Sequence, residues 1–424
     1  MHLSHLSLTN FRNYSRLDID FPCGPILLLG GNAQGKTSIL ESIFYLATFE
    51  SFHATSDRQL INFIAARESL AVARIVADFM IKGNRSGSSN EIAHPHRIEA
   101  RIISEGGEIN GSSRMRKEIL VDGVKRKVGE AVGRFNAVLF LPQMLRIVEG
   151  APEERRHFLN LVLAQVWPHY REALGEYQRS LAQRNALLKQ LSERGTEATN
   201  STMQLAYWDE QLSNFGAQVI HGRIHAIHEL EQLAVRIHTD LTRGQEVLRL
   251  AYQPSYDPFP RKTNQFLLPM DVSVDRTSLS VEKIREGFMA CLEKARPEEI
   301  ARGTTTIGPH RDDFRFISNK IDVGVYGSRG QARTAVLSAK LAEVAWIRKK
   351  TGNWPVLLLD EVLAELDRER RDDLLERLSE AEQVLTTTTE LDAYNHEFAR
   401  NAAIWFVREG RLSSIEGGAP KDGI

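Results

Sequence analysis

Gly30-Gly31-Asn32-Ala33-Gln34-Gly35-Lys36-Thr37 carries every fixed position of the phosphate-binding loop G-x-x-x-x-G-K-[ST]. Its glycines let backbone N–H groups curl around phosphate oxygens, and the start of the following helix adds partial positive charge. We expect Lys36 to reach the β- and γ-phosphates of a nucleotide, and the Thr37 hydroxyl to bind Mg²⁺. The eight residues and Ser38 therefore form the predicted nucleotide site.

The residues on either side supply the strand and the helix that this loop requires. Before it, Ile26–Leu29 is an unbroken aliphatic run bounded by Pro25, which indicates a strand buried on both faces. After it, apolar residues recur at helical spacing, at Ile39, Leu40, Ile43, Phe44 and Ala47. A strand, a glycine-rich loop and a helix in this order favour phosphate binding over a chance glycine-rich turn.

A second motif supplies the acidic residues that such a loop needs for its metal. Val356–Leu359 is another aliphatic run, and Asp360 and Glu361 follow it directly. We predict that Asp360 is the metal partner and that Glu361 is the catalytic base that polarises the attacking water.

The two motifs lie near opposite ends of the chain, so the nucleotide domain is split by an insertion. Residues 70–140 and the alternating first strands predict an N-terminal antiparallel β region. Apolar residues at helical spacing within 167–191 and 205–219 predict a helical hairpin only a few turns long on each side. Strands alternating with helices in the last third predict a mostly parallel sheet.

Further motifs resemble those of ATP-binding-cassette (ABC) ATPases. Ser328-Arg329-Gly330-Gln331 opens a helix before the acidic strand and is similar to the signature loop, and Ala364-Glu365-Leu366-Asp367 is similar to the D-loop. In that family two heads clamp two ATP molecules between them. The resemblance implies ATP as the nucleotide, an ATP-dependent homodimer and additional nucleotide contacts, from Ser328, Gly330, Gln331, Asp367 and Thr389 at the switch position.

The expected architecture is therefore α/β, an ABC-type P-loop ATPase head with an inserted helical lobe. We divide the chain into three parts. Residues 1–150 form the N-terminal part of the head with the phosphate-binding loop, residues 151–300 the helical lobe, and residues 301–424 the C-terminal part with the signature, the acidic strand and the D-loop.

A longer set of segments resembles the RecF family of bacterial recombination mediators. These are residues 6–14, 183–188, 302–303, 308–313 and 328–333, and the similarity runs from the first strand to about residue 408. The resemblance implies an SMC-like head with slow, DNA-stimulated ATP hydrolysis. It implies a role at gapped DNA, where such a protein works with RecR and RecO to load RecA during repair and replication restart.

The chain departs from that family after Phe140. Leu141-Pro142-Gln143 stands where the family often has Ser-Pro-Glu. Gln143 is the candidate for the Q-loop glutamine beside the metal. His310, in segment 308–313, is expected to be structural.

A basic segment between Asn110 and Lys127 is the candidate DNA contact. Its cations are Arg114, Arg116, Lys117, Lys125, Arg126 and Lys127. They could neutralise phosphates without recognising bases, although an ordinary solvated hairpin has the same composition. His53, Arg58 and Arg184 are further candidates. Since no sequence-specific DNA-binding motif is present, we expect binding to depend on DNA structure and on salt.

The composition limits the remaining possibilities. With 42% hydrophobic and 26% charged residues in 424, the chain is neither fibrous nor wholly disordered. Only Cys23 and Cys291 are present, which excludes a disulfide framework and favours a reducing, cytoplasmic location. We expect no membrane span and no secretory signal. The formal net charge of −1 does not locate a polyanionic partner, because charges can be segregated on the surface.

Two other functions remain open at this point. A nucleotide-binding subunit of a membrane ABC transporter would share the P-loop, but the long insertion and Ser-Arg-Gly-Gln in place of Ser-Gly-Gly-Gln argue against it. An SMC-like head acting as a structural tether would call for a long coiled-coil arm.

Overall fold

The computed structural model describes residues 1–82, 93–106, 114–194, 199–259, 274–391, 394 and 396–414. The strands are β1 His2–Phe11, β2 Tyr14–Asp20, β3 Gly24–Leu29, β4 Leu70–Lys82, β5 Ala93–Glu105, β6 Arg114–Val121, β7 Val124–Arg126, β8 Ala137–Phe140, β9 Leu248–Gln253, β10 Asp313–Ser318, β11 Ile321–Asp322, β12 Val356–Asp360, β13 Gln383–Thr388, β14 Ala403–Arg408 and β15 Arg411–Ser414. The helices are α1 Lys36–Thr48, α2 Val128–Ala131, α3 Arg146–Glu149, α4 Pro152–Val166, α5 Pro168–Arg194, α6 Thr199–Leu241, α7 Val281–Arg302, α8 Val323–Tyr326, α9 Arg329–Thr351, α10 Arg368–Leu378 and α11 His396–Asn401.

The chain divides into two compact units. The first contains residues 1–143 and 347–424, and the second contains residues 144–346. The functional division at residues 150 and 300 stays a prediction.

An antiparallel sheet forms one half of the first unit, in the order β2-β1-β4-β5-β6-β7. Leu6 and Leu8, one pleat apart on β1, are both fully buried, whereas Ser7 between them is not. This alternation is the period-2 pattern of the sequence, since successive side chains of a strand point to opposite faces. The predicted N-terminal antiparallel region is confirmed.

The second sheet of this unit has the order β15-β14-β3-β13-β12-β8 and is parallel except at the β14–β15 hairpin. Strands β3 and β12 are the aliphatic runs of the sequence, and Ile26, Leu27 and Leu28 on β3 are fully buried. The carboxyl ends of β3, β12 and β13 are in register, with Leu29 opposite Thr388 and Asp360 opposite Thr387. The predicted α/β fold is thus confirmed, and both motifs reach one edge of the sheet.

The second unit combines helices α4 to α7 with a small antiparallel sheet, β11-β10-β9. Tyr177 on α5, Leu212 and Ile220 on α6, and Phe288 on α7 share one buried core. Helix α6 has 43 residues, about 65 Å at 1.5 Å per residue, and is far longer than the few turns that we expected. Strand β9, which includes Tyr252, pairs with β10 in this small sheet.

No helix in the described ranges combines the length and the apolar character that crossing a bilayer demands. Both cysteines have free thiols and are exposed.

Candidate nucleotide-binding site

The phosphate-binding loop joins β3 to α1 through a backbone that only some residues tolerate. Gly35, the N-cap of α1, has φ +113°, and a Cβ there would lie 2.5 Å from Asn13 Nδ2 and 2.7 Å from the Tyr14 hydroxyl. Ala33 also has a positive φ, 62°, which a residue with a side chain adopts at some cost. The first N–H groups of α1 have no acceptor within the helix and face this loop, which makes them donors for an anion.

Lys36 is almost completely buried, with 4% of its side chain exposed. Its ammonium group donates to the carbonyl oxygens of Gly30 and Gly31, at 2.7 and 3.0 Å. Glu361 Oε1 lies 3.4 Å from the same nitrogen. The cation is therefore held across the mouth of the loop, close to the position where phosphate oxygens bind in a site of this type.

The Asp360 carboxylate accepts hydrogen bonds from hydroxyl groups on two elements. The Thr37 hydroxyl lies 3.0 Å from both of its carboxylate oxygens, and the Thr387 hydroxyl donates to Oδ1 at 2.7 Å. The structure thus brings together Thr37 and Asp360, the two side chains predicted to contact Mg²⁺. Sequence reasoning missed Thr387, although the parallel alignment of β12 and β13 could have indicated it, because it lies directly opposite Asp360.

Glu361 stands at the end of β12 in a left-handed conformation, with φ 51°. Its N–H donates to the Thr387 hydroxyl at 3.0 Å, which fixes the backbone, while 43% of its side chain remains exposed. A carboxylate held on a strained, anchored backbone and open to solvent is suited to orient water.

Part of this site borders a cleft of about 950 Å³ within the first unit. Residues 32–38 line the cleft, together with Glu361. On the other side it is lined by residues before β2 and after α1, among them Asn10, Arg12, His53, Asn62, Phe63 and Ile64. Phe63 and Ile64 are exposed apolar side chains, so the cleft has a charged end and an apolar end.

The side chains fit ATP with Mg²⁺. Mg²⁺ usually takes one or two protein oxygen ligands and completes its shell with water and phosphate oxygens. Thr37 and Asp360 supply this small oxygen set, and the described residues contain no larger metal-binding cluster of histidine, cysteine or acidic side chains. Gln143 lies in the turn that follows β8, a strand paired with β12, and its role at the metal stays a prediction.

The predicted signature loop belongs to the second unit. The Ser328 hydroxyl accepts the Gln331 N–H at 3.2 Å, and the Gln331 side-chain oxygen accepts the Ser328 N–H at 2.9 Å. This reciprocal capping box begins α9 and leaves the hydroxyl hydrogen of Ser328 available to a ligand. Gly330 lies in the first turn of the same helix.

Two other predicted nucleotide contacts lie at the ends of elements in the first unit. Asp367 is the N-cap of α10 and accepts the Arg370 N–H at 3.0 Å, a hydrogen bond that lowers the pKa of its carboxyl group. Thr389 is exposed and follows the last residue of β13. Their nucleotide contacts stay predictions.

The basic segment folds as the β6–β7 hairpin and the residues after it, and its first four residues lie outside the described part. Arg114, Arg116, Lys125, Arg126 and Lys127 are exposed. Glu118 offsets some of this charge, because it lies 2.9 Å from Lys125 and 3.4 Å from Arg116.

Lys117 differs from the other cations of the hairpin. Its ammonium group donates to the Phe49 carbonyl at 3.0 Å, lies 3.1 Å from Asp57 and sits over the Tyr45 ring. The positive charge of Lys117 is thus compensated mainly by groups of the first unit.

The three weaker DNA candidates differ in their surroundings. Arg184 is completely buried and pairs with Asp209 and Glu299, so it cannot contact DNA in this structure, and that prediction is wrong. His53 is exposed and lines the nucleotide cleft. Arg58 is exposed and stays a candidate.

His310 is held inside its unit. Its Nδ1 lies 2.6 Å from the Tyr177 hydroxyl, and burial, followed by nearby arginines, lowers its pKa to about 4. The neighbouring Asp312 and Asp313 bind the buried guanidinium groups of Arg223 and Arg155. The two aspartates of segment 308–313 therefore form buried ion pairs inside the second unit.

Comparisons with known proteins agree with this geometry. Residues 2–412 match the family model described as the RecF/RecN/SMC N terminal domain. The DNA replication and repair protein RecF of Exiguobacterium sp. is 37% identical over 98% of this chain and 99% of its own length. The chain belongs to the RecF family. The RecF protein of Chloroflexus aggregans is 38% identical over 97% of this chain and 99% of its own length.

A solved structure extends the similarity to three dimensions. It is described as the recombination mediator protein RecF with ATP in the RecFOR pathway. It has a TM-score of 0.77 and 28% identity, and the match covers 97% of both chains. The RecF similarity over nearly the full length favours a repair protein over a transporter subunit.

Proposed function

We propose that the chain is an ATP-dependent DNA-binding protein of recombinational repair that dimerises on ATP and hydrolyses it slowly. The observation that carries this proposal is the joint placement of Lys36, Thr37, Asp360 and Glu361 at one edge of the parallel sheet, beside a cleft of about 950 Å³. The RecF structure with ATP supports the choice of nucleotide.

The cleft suggests how ATP would lie. The phosphates would bind the loop and the start of α1, where Lys36 and backbone N–H groups provide positive charge. The base would extend toward Phe63 and Ile64, whose exposed apolar surfaces line the same cleft. Arg67 lies over the Phe63 ring, 5.8 Å from its centre, which keeps this aromatic side chain in place.

Hydrolysis would use residues that are already oriented. Mg²⁺, when bound, would neutralise charge on the phosphates. Thr37 and Asp360 would hold it, with Asp360 fixed by the Thr387 hydroxyl. Glu361 would accept a proton from the attacking water, and Lys36 would stabilise the charge that develops on the phosphate.

The proposal of DNA and protein partners is inferred from the family relationship. We propose that gapped DNA is bound without sequence specificity and that RecR and RecO cooperate in loading RecA. The exposed cations of the β6–β7 hairpin support a phosphate contact in the first unit. A cytoplasmic location agrees with the free thiols of Cys23 and Cys291.

A mobility-shift assay on gapped duplex DNA, at two salt concentrations, tests this function. We expect ATP-dependent retention that weakens steeply with salt. Replacing Lys125 and Arg126 by alanine should reduce both the affinity and the salt dependence, whereas Lys117→Ala should have a smaller effect because its ammonium is used internally. Absence of any DNA binding at low salt would contradict the proposal and favour the transporter alternative.

A further inference from the structure

Glu246, in the connection between α6 and β9, has an unusual number of polar neighbours. Only 19% of its side chain is exposed. One carboxylate oxygen accepts the side-chain N–H of Gln331 at 3.0 Å, and the other accepts the Ser318 hydroxyl at 2.8 Å and faces His238 Nε2 at 3.3 Å. All of these residues belong to the second unit.

The carboxylate form of Glu246 is the form that this site favours. Burial alone would raise its pKa, but the hydrogen bonds from Gln331, Ser318 and His238 outweigh burial and lower it. His238 is itself buried, and burial lowers its pKa. At neutral pH the group is therefore an anion that accepts hydrogen bonds on both oxygens.

Gln331 connects this anion to the signature loop. Its side-chain nitrogen donates to Glu246, while its side-chain oxygen accepts the Ser328 N–H and its own N–H binds the Ser328 hydroxyl. Two of these hydrogen bonds hold the side chain of Gln331, and the third holds the Ser328 hydroxyl oxygen against the first turn of α9. Loss of the first bond would free the amide nitrogen of Gln331, and the Gln331 side chain that caps α9 would then have more rotamers to lose on ligand binding.

We propose that Glu246 is a positioning residue for the signature loop, which it holds ready, through Gln331, to bind the γ-phosphate of ATP on a second copy of the chain. This inference rests on the proposed ATP-dependent dimer. The same carboxylate contacts His238 near the end of the long helix α6 and Ser318 at the end of β10. Glu246 therefore ties the signature loop to two other elements of the second unit.

The test compares Glu246→Ala and Glu246→Gln with Glu298→Ala, whose exposed carboxylate on α7 pairs with exposed Arg302. For each variant we would measure ATP affinity of the isolated subunit, ATP-dependent dimerisation, and KM and kcat.

We expect Glu246→Ala to keep its ATP affinity, because the P-loop belongs to the first unit. Its dimerisation and kcat should fall about tenfold or more, which is the effect of losing a charge-assisted hydrogen bond. The amide oxygen of Glu246→Gln can still accept from Gln331, so this variant should recover part of the loss.

A double-mutant cycle keeps the proposal falsifiable if Glu246→Ala folds poorly. Adding Glu246→Gln to Gln331→Ala should cause no further loss of dimerisation, since both substitutions act on one hydrogen bond. Additive losses would overturn the proposal, as would Glu246→Ala with wild-type dimerisation and kcat. A wild-type chain that binds ATP without dimerising would contradict the proposed function itself and remove this inference with it.

Discussion

Asp360 is held by hydroxyl groups from both sides, by Thr37 from the P-loop and by Thr387 from β13. The Thr387 hydroxyl also accepts the Glu361 N–H, so one side chain holds both the predicted metal partner Asp360 and the backbone of Glu361, the proposed base. A carboxylate whose free rotation is restricted in this way binds a metal with less loss of entropy. We therefore propose that Thr387 supports both residues, a role distinct from the nucleotide contact predicted for Thr389 at the switch position.

Thr387→Val tests this role, because it replaces the hydroxyl group by a methyl group of similar volume. We expect the Mg²⁺ concentration for half-maximal ATP hydrolysis to rise roughly tenfold, the size of effect seen when a supporting hydrogen bond to a metal ligand is removed. Thr387→Ser keeps the hydroxyl and should restore most of the activity. An unchanged Mg²⁺ requirement in the valine variant would show that Asp360 does not need this donor.

Glu361→Gln separates ATP binding from hydrolysis. The amide keeps the shape of the side chain but cannot accept the proton of the attacking water. We expect kcat to fall by roughly 10²-fold or more, while ATP affinity changes little. Single-turnover hydrolysis and equilibrium nucleotide binding measure the two quantities, and wild-type turnover in this variant would exclude Glu361 as the base.

At this scale, local sequence motifs identify most residues of the candidate nucleotide site. Lys36, Thr37, Asp360 and Glu361 follow from local motifs whose strand and helix context is visible in the chain. Thr387 does not, because its role depends on which residue of β13 lies opposite Asp360, and that alignment is set by long-range strand pairing.

Among the elements, the helical lobe departs furthest from the sequence prediction. The predicted second helix ended at residue 219, whereas α6 continues to Leu241. Ile224, Ile227 and Leu230 continue the apolar spacing that predicts this helix over residues 205–219. The buried polar residues Arg223 and His238 interrupt that spacing, so the sequence pattern alone does not show how far the helix extends. Polar residues inside a helical core have partners from other elements, which local periodicity cannot show.

The buried charges of the lobe join its helices. Arg184 on α5 donates to Asp209 on α6 at 2.6 Å and to the Thr305 hydroxyl at 2.8 Å. Its Nη2 lies 2.7 Å from Glu299 on α7, as an ion pair without an aligned hydrogen bond. Arg296 also binds Asp209, so the cluster contains two cations and two anions.

Arg184→Ala should therefore destabilise the second unit strongly. Removing one partner leaves Glu299 buried with less compensation, which typically costs about 3–5 kcal/mol in the free energy of unfolding. Arg302→Ala is the matched control, because its pair with Glu298 is exposed and should contribute under about 1 kcal/mol. Chemical denaturation measures both changes, and equal effects would contradict the assigned burial.

For the whole molecule, the sequence placed the two halves of the nucleotide site in the first and last thirds of the chain. The structure brings both into one unit, in which β3, β12 and β13 are adjacent. The signature loop lies in the other unit. A site assembled from the P-loop of one subunit and the signature loop of its partner is the arrangement that the ABC resemblance implies, and it makes dimerisation the central claim.

Sedimentation with ATP and Mg²⁺ tests that claim most directly. The wild-type chain should change from monomer to dimer on adding ATP, and Lys36→Met should stay monomeric, because it lacks the cation that lies across the mouth of the loop. Unchanged sedimentation of the wild-type chain, or an ATP-dependent dimer of Lys36→Met, would contradict the account.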